Sequence, residues 1–311
     1  MKITVAICTW NRSALLAQTL EGMTALRIPA ELDWELLVVD NNSKDDTKEV
    51  AARFAPRLPL RYVFEEKPGL SHARNCALRE ASAPYLMFTD DDVLVDADWL
   101  AAAAETWTRY PAAHVIGGQI APWFPVEPDP MLARVFPFLA GGFCGLQRGG
   151  PQRPLNADEH VNGANFGVWV SGVDKRFNPS FGPTHGETVN GDEVEFVRQV
   201  RQSGGTVVWS PGMRVRHYVD PKRMTLAYLQ DYYRNCGRAE VRLHGIRGHR
   251  TWRGVPLWLW KQTIVARAKS VAFGAIAQRE KRLEALRDFA YSSGMLAEAY
   301  ANAHARSGRT A

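Results

Sequence analysis

Three consecutive aspartates end the apolar run "PYLMFTDDD", where they occupy positions 90–92. Adjacent carboxylates repel one another, so a buried strand that ends in three of them needs compensating positive charge. Because alternate residues of a strand point the same way, Asp90 and Asp92 should share one direction and Asp91 should take the other. Two carboxylates on one side suit a hard divalent cation such as Mg²⁺ or Mn²⁺. A solvated acidic turn before a helix at Asp98 explains the triplet equally well, so other residues must decide.

The elements that position these aspartates alternate between strand and helix through the first hundred residues. Strands are predicted in "KITVAICT", "WELLVVD", "LRYVFEEK" and "PYLMFTD". Helices are predicted in "SALLAQTLEGMTAL", "DDTKEVAARFA" and "GLSHARNCALREAS". This alternation predicts an α/β fold with a mostly parallel central sheet, built from right-handed βαβ units and flanked by helices.

Polar residues follow several of these strands, at the edge where open α/β sheets bind their ligands. An arginine at position 74 suits a phosphate group, and an aspartate at position 40 suits the donors of a ribose or a base. Taken singly, each such residue is more often a turn or capping residue. Besides the aspartate triplet, the group comprises Thr9, Asn11, Arg12, Asp40, Asn42 and Arg74.

The pattern changes from about Gly117, where a long stretch rich in Pro, Gly and aromatic residues has no clear period. A strand is predicted in "GANFGVWVSGV", then a helix in "GDEVEFVRQVRQSGG" that starts with acidic residues. Two short strands are predicted in "TVVWSPGMRVRHY", and the remainder after about Thr225 is predicted to be helical. No segment approaches the roughly twenty apolar residues that span a bilayer.

The net charge of +5 is unevenly distributed. Residues 241–311 contain 13 Lys and Arg against 4 Asp and Glu, whereas the remaining residues contain 25 against 29. Apolar residues in the basic segment recur at helical spacing, and tryptophans accompany them. Such a helix fits the surface of an anionic membrane through residues 250–276, or packing on the rest of the chain with its charges in water. No nucleic-acid-binding motif accompanies the charge, so nucleic acid is not an expected partner.

Together, six segments resemble the family 2 glycosyltransferases, over roughly residues 1–220. They are "AICTWNRSALLAQTL", "ELLVVDNNSKDDT", "GLSHARNCAL", "YLMFTDDDVLVDADWL", "NGANFGVWVSGVDKRFNPSFG" and "GDEVEFVRQVRQSG". The resemblance implies the GT-A nucleotide-sugar-binding fold over residues 1–224, with a nucleotide-binding half (1–116) and an acceptor half (117–224). Residues 225–311 are expected to form a helical, basic C-terminal extension.

The resemblance also implies roles for particular residues. Asp92, with Asp90 and His217, would bind Mn²⁺ or Mg²⁺. Glu193 would be the catalytic base, with Asp192 as the alternative, because the family's usual Glu-Asp order is inverted here. The residues expected near the donor nucleotide are Thr9, Asn11, Arg12, Asp40, Asn42, Arg74, Asp90 and Asp91. Those expected near the donor sugar or the acceptor are Trp123, Gly163, Asn165 and His185.

We therefore expect a metal-dependent, inverting enzyme that moves a sugar from a nucleoside diphosphate to a glycan or a lipid-linked saccharide. A UDP-sugar is the first choice of donor, with GDP- and dTDP-sugars as alternatives. The expected location is the cytoplasm, including the inner face of the plasma membrane. One rival is an inactive relative that only binds a glycan or a partner. The other is a nucleotidyltransferase, but "CTWNRS" lacks the Gly-rich, basic triphosphate loop that this class needs.

Overall fold

Strand and helix alternate along the first hundred residues of the computed structural model, which describes residues 1–183, 188–189 and 191–307. The elements of this first part are β1 (Lys2–Thr9), α1 (Ser13–Met23), β2 (Asp33–Asp40), α2 (Thr47–Phe54), β3 (Leu60–Phe64), α3 (Leu70–Glu80), β4 (Tyr85–Asp90), β5 (Val93–Val95), α4 (Trp99–Arg109) and β6 (Ala113–Trp123). The predicted α/β class, with a central sheet, flanking helices and a helical C-terminal part, is confirmed.

The later elements are less regular. They are α5 (Pro130–Leu139), a 3₁₀ turn (Ala140–Phe143), β7 (Arg153–Pro154), β8 (Phe166–Trp169), a 3₁₀ turn (Val170–Gly172), β9 (Gly182–Pro183), β10 (Thr188–Val189), α6 (Asp192–Gln202), β11 (Thr206–Tyr218), a 3₁₀ turn (Pro221–Met224), α7 (Leu226–His244), β12 (Thr251–Trp252), β13 (Val255–Pro256), α8 (Leu257–Ala275) and α9 (Arg279–Ser307).

Within the described residues, nine strands form the central sheet. Eight of them follow the order β3-β2-β1-β4-β8-β6-β11-β5, and β7 pairs with β11. Strands β3, β2, β1 and β4 are mutually parallel, but β8 runs antiparallel between β4 and β6. Parallel pairing therefore runs through the N-terminal half and recurs between β6 and β11, whereas β5, β7 and β8 pair antiparallel with their neighbours.

The strands of the N-terminal half are covered on both faces. In β1, Ile3, Val5 and Ile7 pack in one apolar cluster with residues of α1, whereas Ala6 packs in a second cluster with residues of α3. Two buried faces explain why β1 and β2 read as nearly continuous apolar runs. The register places Thr9 beside Asp40 and Cys8 beside Asp90, so three strand ends meet at one edge.

Three predictions of secondary structure need correction. The segment after Gly117 continues as β6 and then contains helix α5, whose Asp129 cap and first-turn proline lie inside a Pro-rich run. The two short strands predicted after Thr206 are a single strand, β11, with a register irregularity between Ser210 and Arg214 that hides its period. Finally, a short hairpin formed by β12 and β13 interrupts the helices of the C-terminal part.

Over the described residues, the chain divides into two compact units. The sheet unit comprises residues 1–123, 144–183 and 192–218, and the helical unit comprises residues 124–143, 188–189, 191 and 219–307. The boundary predicted near residue 224 stays a prediction. Among the described helices, none combines the length and the apolar character needed to cross a bilayer.

Helices α7 and α9 of the helical unit cross at two glycines. A Cβ atom at Gly237 would lie 2.0 Å from the carbonyl oxygen of Tyr291, and one at Gly294 would lie 1.9 Å from that of Arg234. Only glycine permits backbones to approach this closely.

We predict that Gly237→Ala lowers the free energy of unfolding by about 2–4 kcal/mol, because the added methyl group forces the two helices apart. Denaturant titration measures this loss. The matched control is Gly274→Ala in α8, where the new Cβ meets only the flexible end of Arg282 at 3.3 Å. That change should be neutral or stabilise by up to about 1 kcal/mol, as is typical of Gly→Ala in a helix. Equal losses in the two variants would contradict the close crossing.

Candidate functional site

The aspartate triplet lies at the end of β4, where the chain turns into β5. Strand β5 pairs antiparallel with β11, which sets His217 opposite Val93, and the Tyr218 N–H donates to the Asp92 carbonyl at 2.8 Å. His217 Nε2 is thereby 3.3 Å from Asp92 Oδ1 and 3.6 Å from Asp90 Oδ2. One ligand atom from each of these three residues lies within 4.8 Å of the others. We call Asp90, Asp92 and His217 the acid–histidine cluster.

The orientation of His217 is fixed by its other ring nitrogen. Nδ1 lies 2.8 Å from the Tyr218 carbonyl oxygen, which only accepts, so Nδ1 carries a proton. Nε2 then faces the two carboxylates and offers its lone pair once the ring is neutral. Burial lowers the pKa of His217, but Cys144, Asp92 and Asp90 outweigh burial and hold that pKa well above its usual value. A metal ion at this nitrogen must displace a proton, so binding should strengthen as pH rises.

The donor set of the cluster fits a divalent cation. Asp92 is 3% exposed, and its buried Oδ1 accepts no hydrogen bond from the described residues, although His217 Nε2 lies 3.3 Å away. A buried carboxylate oxygen without a donor is costly, and a cation would satisfy it. Two carboxylates and one imidazole are ligands that suit Mn²⁺ and also occur with Mg²⁺.

The middle aspartate of the triplet faces a different set of partners. Asp91 accepts a hydrogen bond from Thr9 Oγ1 at 2.7 Å and one from Arg12 at 3.1 Å. Arg12 also donates to Asp92 at 2.9 Å, so one guanidinium pairs with both carboxylates. Burial raises the pKa of Asp91 to about 7, with Asp92 adding to the rise and Arg12 opposing it.

Arg74 joins the triplet to the second acidic pair. Its side chain is 3% exposed, and its guanidinium lies 2.5 Å from Asp192 and 3.7 Å from Asp90. A Cβ atom at Gly163 would lie 2.3 Å from Arg74 Nη2, so only glycine leaves space for the guanidinium at this point. Because a single buried side chain touches Asp90 and Asp192, both acidic motifs belong to one site.

The two residues of the second acidic pair differ in their surroundings. Asp192 is buried against Arg74, whereas Glu193 is half-buried. Burial and the neighbouring charge of Asp192 together raise the pKa of Glu193 to about 8, although Arg74 opposes the rise.

The pKa of Asp90, in the first acidic motif, is shifted in the opposite direction. Burial raises it, but a hydrogen bond with His217 and the charge of Arg74 outweigh burial and keep that pKa below its usual value.

We predict that Arg74→Met lowers the free energy of unfolding by about 3–5 kcal/mol at neutral pH, because the buried carboxylate of Asp192 loses its counter-charge and the half-buried Asp90 loses a nearby positive charge. Asp192→Asn in the same background should recover part of this loss, since the amide needs no counter-charge. Denaturant titration of the wild type, both single variants and the double variant gives the four free energies of unfolding of a double-mutant cycle. Strict additivity of the two changes would contradict the ion pair.

A third group of predicted residues surrounds the end of β2. Asp40 is buried and accepts hydrogen bonds from the Ser43 N–H at 2.9 Å and from Tyr62 Oη at 2.7 Å. Asn11 and Asn42 adopt positive φ angles of 51° and 66°, in the loops that follow β1 and β2. The Asn11 side chain accepts from the Lys44 N–H, so the two loops are tied together.

Sequence reasoning missed residues that hold these groups in place. Tyr62, in β3, orients Asp40, and Asn41 accepts from the Gly69 N–H while donating to the Glu65 and Lys67 carbonyls. Hydrogen bonds from the Asn41 side chain to backbone atoms thus link the end of β2 to the loop before α3. Only the position of Asn41 directly after a strand hinted at this.

The remaining predicted residues are placed differently. Asn165 is fully buried, and its amide donates to the Gln119 and Met213 carbonyls and accepts from Trp99 Nε1. Its amide is therefore engaged within the core, and the expected contact with the donor sugar stays a prediction. Trp123 is half-buried, with its ring edge-on to Tyr218 at 5.4 Å. His185 lies outside the described residues.

Comparisons with known proteins identify related chains. Residues 4–127 match the family model described as "Glycosyl transferase family 2". The succinoglycan biosynthesis protein ExoM of Rhizobium meliloti (strain 1021) is 27% identical over 304 residues, which cover 95% of this chain and 93% of ExoM. Validoxylamine A glucosyltransferase of Streptomyces hygroscopicus subsp. limoneus is 36% identical over 132 residues, covering 42% of this chain and 29% of that protein.

Solved structures share the fold at low sequence identity. TarS 1–349 of S. aureus, in complex with UDP-GlcNAc, has a TM-score of 0.54 at 12% identity and covers 95% of this chain and 90% of its own. The mannosyltransferase PcManGT of Pyrobaculum calidifontis, in complex with GDP-Man and Mn²⁺, has a TM-score of 0.55 at 19% identity, over 99% of this chain and 79% of its own. These similarities show the fold.

Proposed function

We propose that the chain is a family 2 glycosyltransferase with a GT-A fold, and that it transfers a sugar from a nucleoside diphosphate donor in a metal-dependent, inverting reaction. The observation that carries this proposal is the buried Arg74, which lies between Asp90 of the acid–histidine cluster and Asp192 of the second acidic pair. A binding site for a leaving diphosphate and a proton acceptor must face one reacting centre, and both acidic motifs adjoin this one guanidinium.

We assign metal binding to the acid–histidine cluster, with Asp92 as the principal ligand because its Oδ1 is buried without a donor among the described residues. Asp90 and His217 complete the donor set. A bound Mn²⁺ or Mg²⁺ supplies positive charge where negative charge develops on the leaving diphosphate. Arg12, which pairs with the neighbouring carboxylates Asp91 and Asp92, adds fixed positive charge at the same strand ends.

We assign the catalytic base to Glu193. Asp192 is held by Arg74 at 2.5 Å in a buried ion pair. Glu193 has no comparable partner within the described residues and a pKa of about 8, which makes it the better proton acceptor for a sugar hydroxyl. Proton removal by Glu193 as the acceptor oxygen attacks, with the bond to the diphosphate breaking on the opposite face, inverts the anomeric centre in one displacement.

We propose that Asp40 recognises the base of the donor, with a UDP-sugar as the first choice and GDP- or dTDP-sugars as alternatives. Its carboxylate is buried at a strand end and oriented by Tyr62 and Ser43. A UDP-sugar and a GDP-sugar are both found among the fold relatives, one of which is bound to UDP-GlcNAc and one to GDP-Man. Thr9, Asn11, Asn42 and Asp91 would line the same pocket.

We propose a glycan or a lipid-linked saccharide as the acceptor, and the cytoplasm as the place of reaction. The support is the similarity along almost the whole chain to ExoM, a protein named for succinoglycan biosynthesis. Polysaccharide biosynthesis is the setting that this similarity favours.

A donor screen tests the proposal. Release of nucleoside diphosphate from a panel of UDP-, GDP- and dTDP-sugars is followed with Mn²⁺, with Mg²⁺ and with a chelator. We expect one donor to be turned over with metal and none with chelator. Calorimetry with UDP and Mn²⁺ distinguishes an active enzyme from an inactive binding protein. Metal-linked nucleotide binding without turnover of any donor would favour the inactive protein.

A further inference from the structure

Helix α8 of the helical unit presents its apolar side chains outward. Leu257, Trp258, Ile264, Val265 and Val271, with Ile276 at the C-cap, have exposed fractions between 41% and 64%. At 3.6 residues per turn, these positions cover about 140° of the helix circumference. We call them the α8 stripe. Trp260 follows Leu257 at helical spacing, but it is half-buried against Trp252 of the hairpin and is not part of the stripe.

The inward face of α8 is less apolar than the outward one. Its buried residues are Leu259, Thr263, Ala266 and Ser270, and the Thr263 and Ser270 hydroxyls bond to carbonyls of the helix itself. In a surface helix of a globular protein, the apolar stripe ordinarily packs on the core. Here small and hydroxyl-bearing residues pack inward, so packing within the unit does not account for the outward apolar residues.

Positive charge accompanies the α8 stripe. From residue 241 to residue 278 the sequence has seven Lys and Arg and no Asp or Glu. Arg267 and Lys269 border the stripe on its two sides, and Lys261 lies within it on a side chain long enough to carry its ammonium group outward. Trp252, at 51% exposure, and Trp258 add indole rings near the start of the helix. Tryptophan rings prefer the boundary between lipid and water.

We propose that the α8 stripe binds the surface of an anionic lipid bilayer, with α8 lying in the plane of the interface. Apolar side chains would enter the acyl boundary while the bordering Lys and Arg meet lipid phosphates. A second copy of this chain is a poorer occupant. Two α8 helices placed face to face would bring the positive charges of Lys261, Arg267 and Lys269 on one copy close to those on the other, and like charges repel. This inference goes beyond sugar transfer and does not depend on it.

Vesicle flotation of the full chain tests the proposal. Wild type should bind equimolar phosphatidylcholine–phosphatidylglycerol vesicles and bind pure phosphatidylcholine weakly, with binding reduced by added salt. The double change Ile264→Glu and Val271→Glu should weaken binding about a hundredfold, because it removes two inserting side chains and adds two negative charges. The double change Lys261→Glu and Lys269→Glu keeps the apolar residues and should remove the preference for anionic lipid.

The matched control carries Ala52→Glu and Thr108→Glu, which add the same two charges at exposed helix positions of the sheet unit. It should bind vesicles like wild type. Calorimetry with UDP and Mn²⁺ and thermal unfolding should be unchanged in all variants, which separates this inference from the proposed function. The proposal is overturned if wild type does not bind anionic vesicles, or if Ile264→Glu with Val271→Glu leaves binding intact. A wild-type dimer that this variant converts to a monomer, without any vesicle binding, would assign the stripe to self-association instead.

Discussion

Replacing Asp92 by Asn is expected to reduce sugar transfer about a thousandfold or more while the protein stays folded. Asp92 contributes the buried oxygen that lacks a donor within the described residues, and it lies 3.3 Å from His217. An amide is a much weaker ligand for a hard cation than a carboxylate, so the charge that stabilises the leaving diphosphate is lost. Initial rates with saturating Mn²⁺ measure the effect.

The matched control for this change is Asp98→Asn, six positions along the chain. Asp98 pairs with Arg27 on the surface, where both side chains are largely exposed. Exposed ion pairs contribute little, so transfer by this variant should stay within about twofold of wild type. Full metal-dependent turnover by the Asp92→Asn protein would show that the cation is held elsewhere.

Replacing Glu193 by Gln is expected to lower the rate of transfer by about 10²–10⁴-fold while leaving donor binding intact, because the amide cannot accept a proton. Single-turnover rates and calorimetry with UDP and Mn²⁺ measure the two quantities separately. Asp192→Asn distinguishes the neighbouring carboxylates: it should mainly lower stability, since it removes the partner of Arg74. A large loss of rate in Asp192→Asn, with near-normal rates in Glu193→Gln, would move the base to Asp192.

The raised pKa of Glu193 gives two further expectations with opposite signs. Transfer needs the ionised carboxylate, so the single-turnover rate should rise with pH through about 8 and then level off. Stability should move the other way, because folding raises this pKa from 4.5 to about 8. The contribution of Glu193 to the free energy of unfolding is complete below pH 4.5. It decreases by up to a few kcal/mol as the pH rises through 8. Denaturant titrations of wild type and Glu193→Gln at several pH values would show the difference; parallel pH dependences would contradict it.

The α/β half of the fold could be predicted because its signals are local. Apolar strands alternate with helices of clear period, and polar residues follow the strand ends that form the site. Strand alternation predicted that Asp90 and Asp92 share a direction; the two do converge on one cluster, although Asp92 lies in the turn after β4. Their approach to His217 could not be derived from local pattern, because it depends on the antiparallel pairing of β5 with β11.

Other parts of the site depend on contacts that no local pattern encodes. The ion pair of Arg74 with Asp192 joins α3 to α6, and Tyr62 reaches Asp40 from a neighbouring strand. The family resemblance placed Asn165 near the donor sugar, and no local pattern indicated that its amide ties β6, β11 and α4 together in the core. In α8 the helical spacing of apolar residues was predicted correctly, but this spacing does not indicate which face of the helix points outward.

The most direct measurement of the central claim is the position of Mn²⁺ in crystals grown with UDP and MnCl₂, located by anomalous scattering. We expect a single strong peak at coordination distance, about 2 Å, from Asp92 Oδ1 and His217 Nε2, with a diphosphate oxygen as a further ligand. Glu193 should face the same cleft from the side away from the diphosphate. A manganese peak remote from Asp90, Asp92 and His217, or a nucleotide bound with no metal beside these residues, would contradict the account.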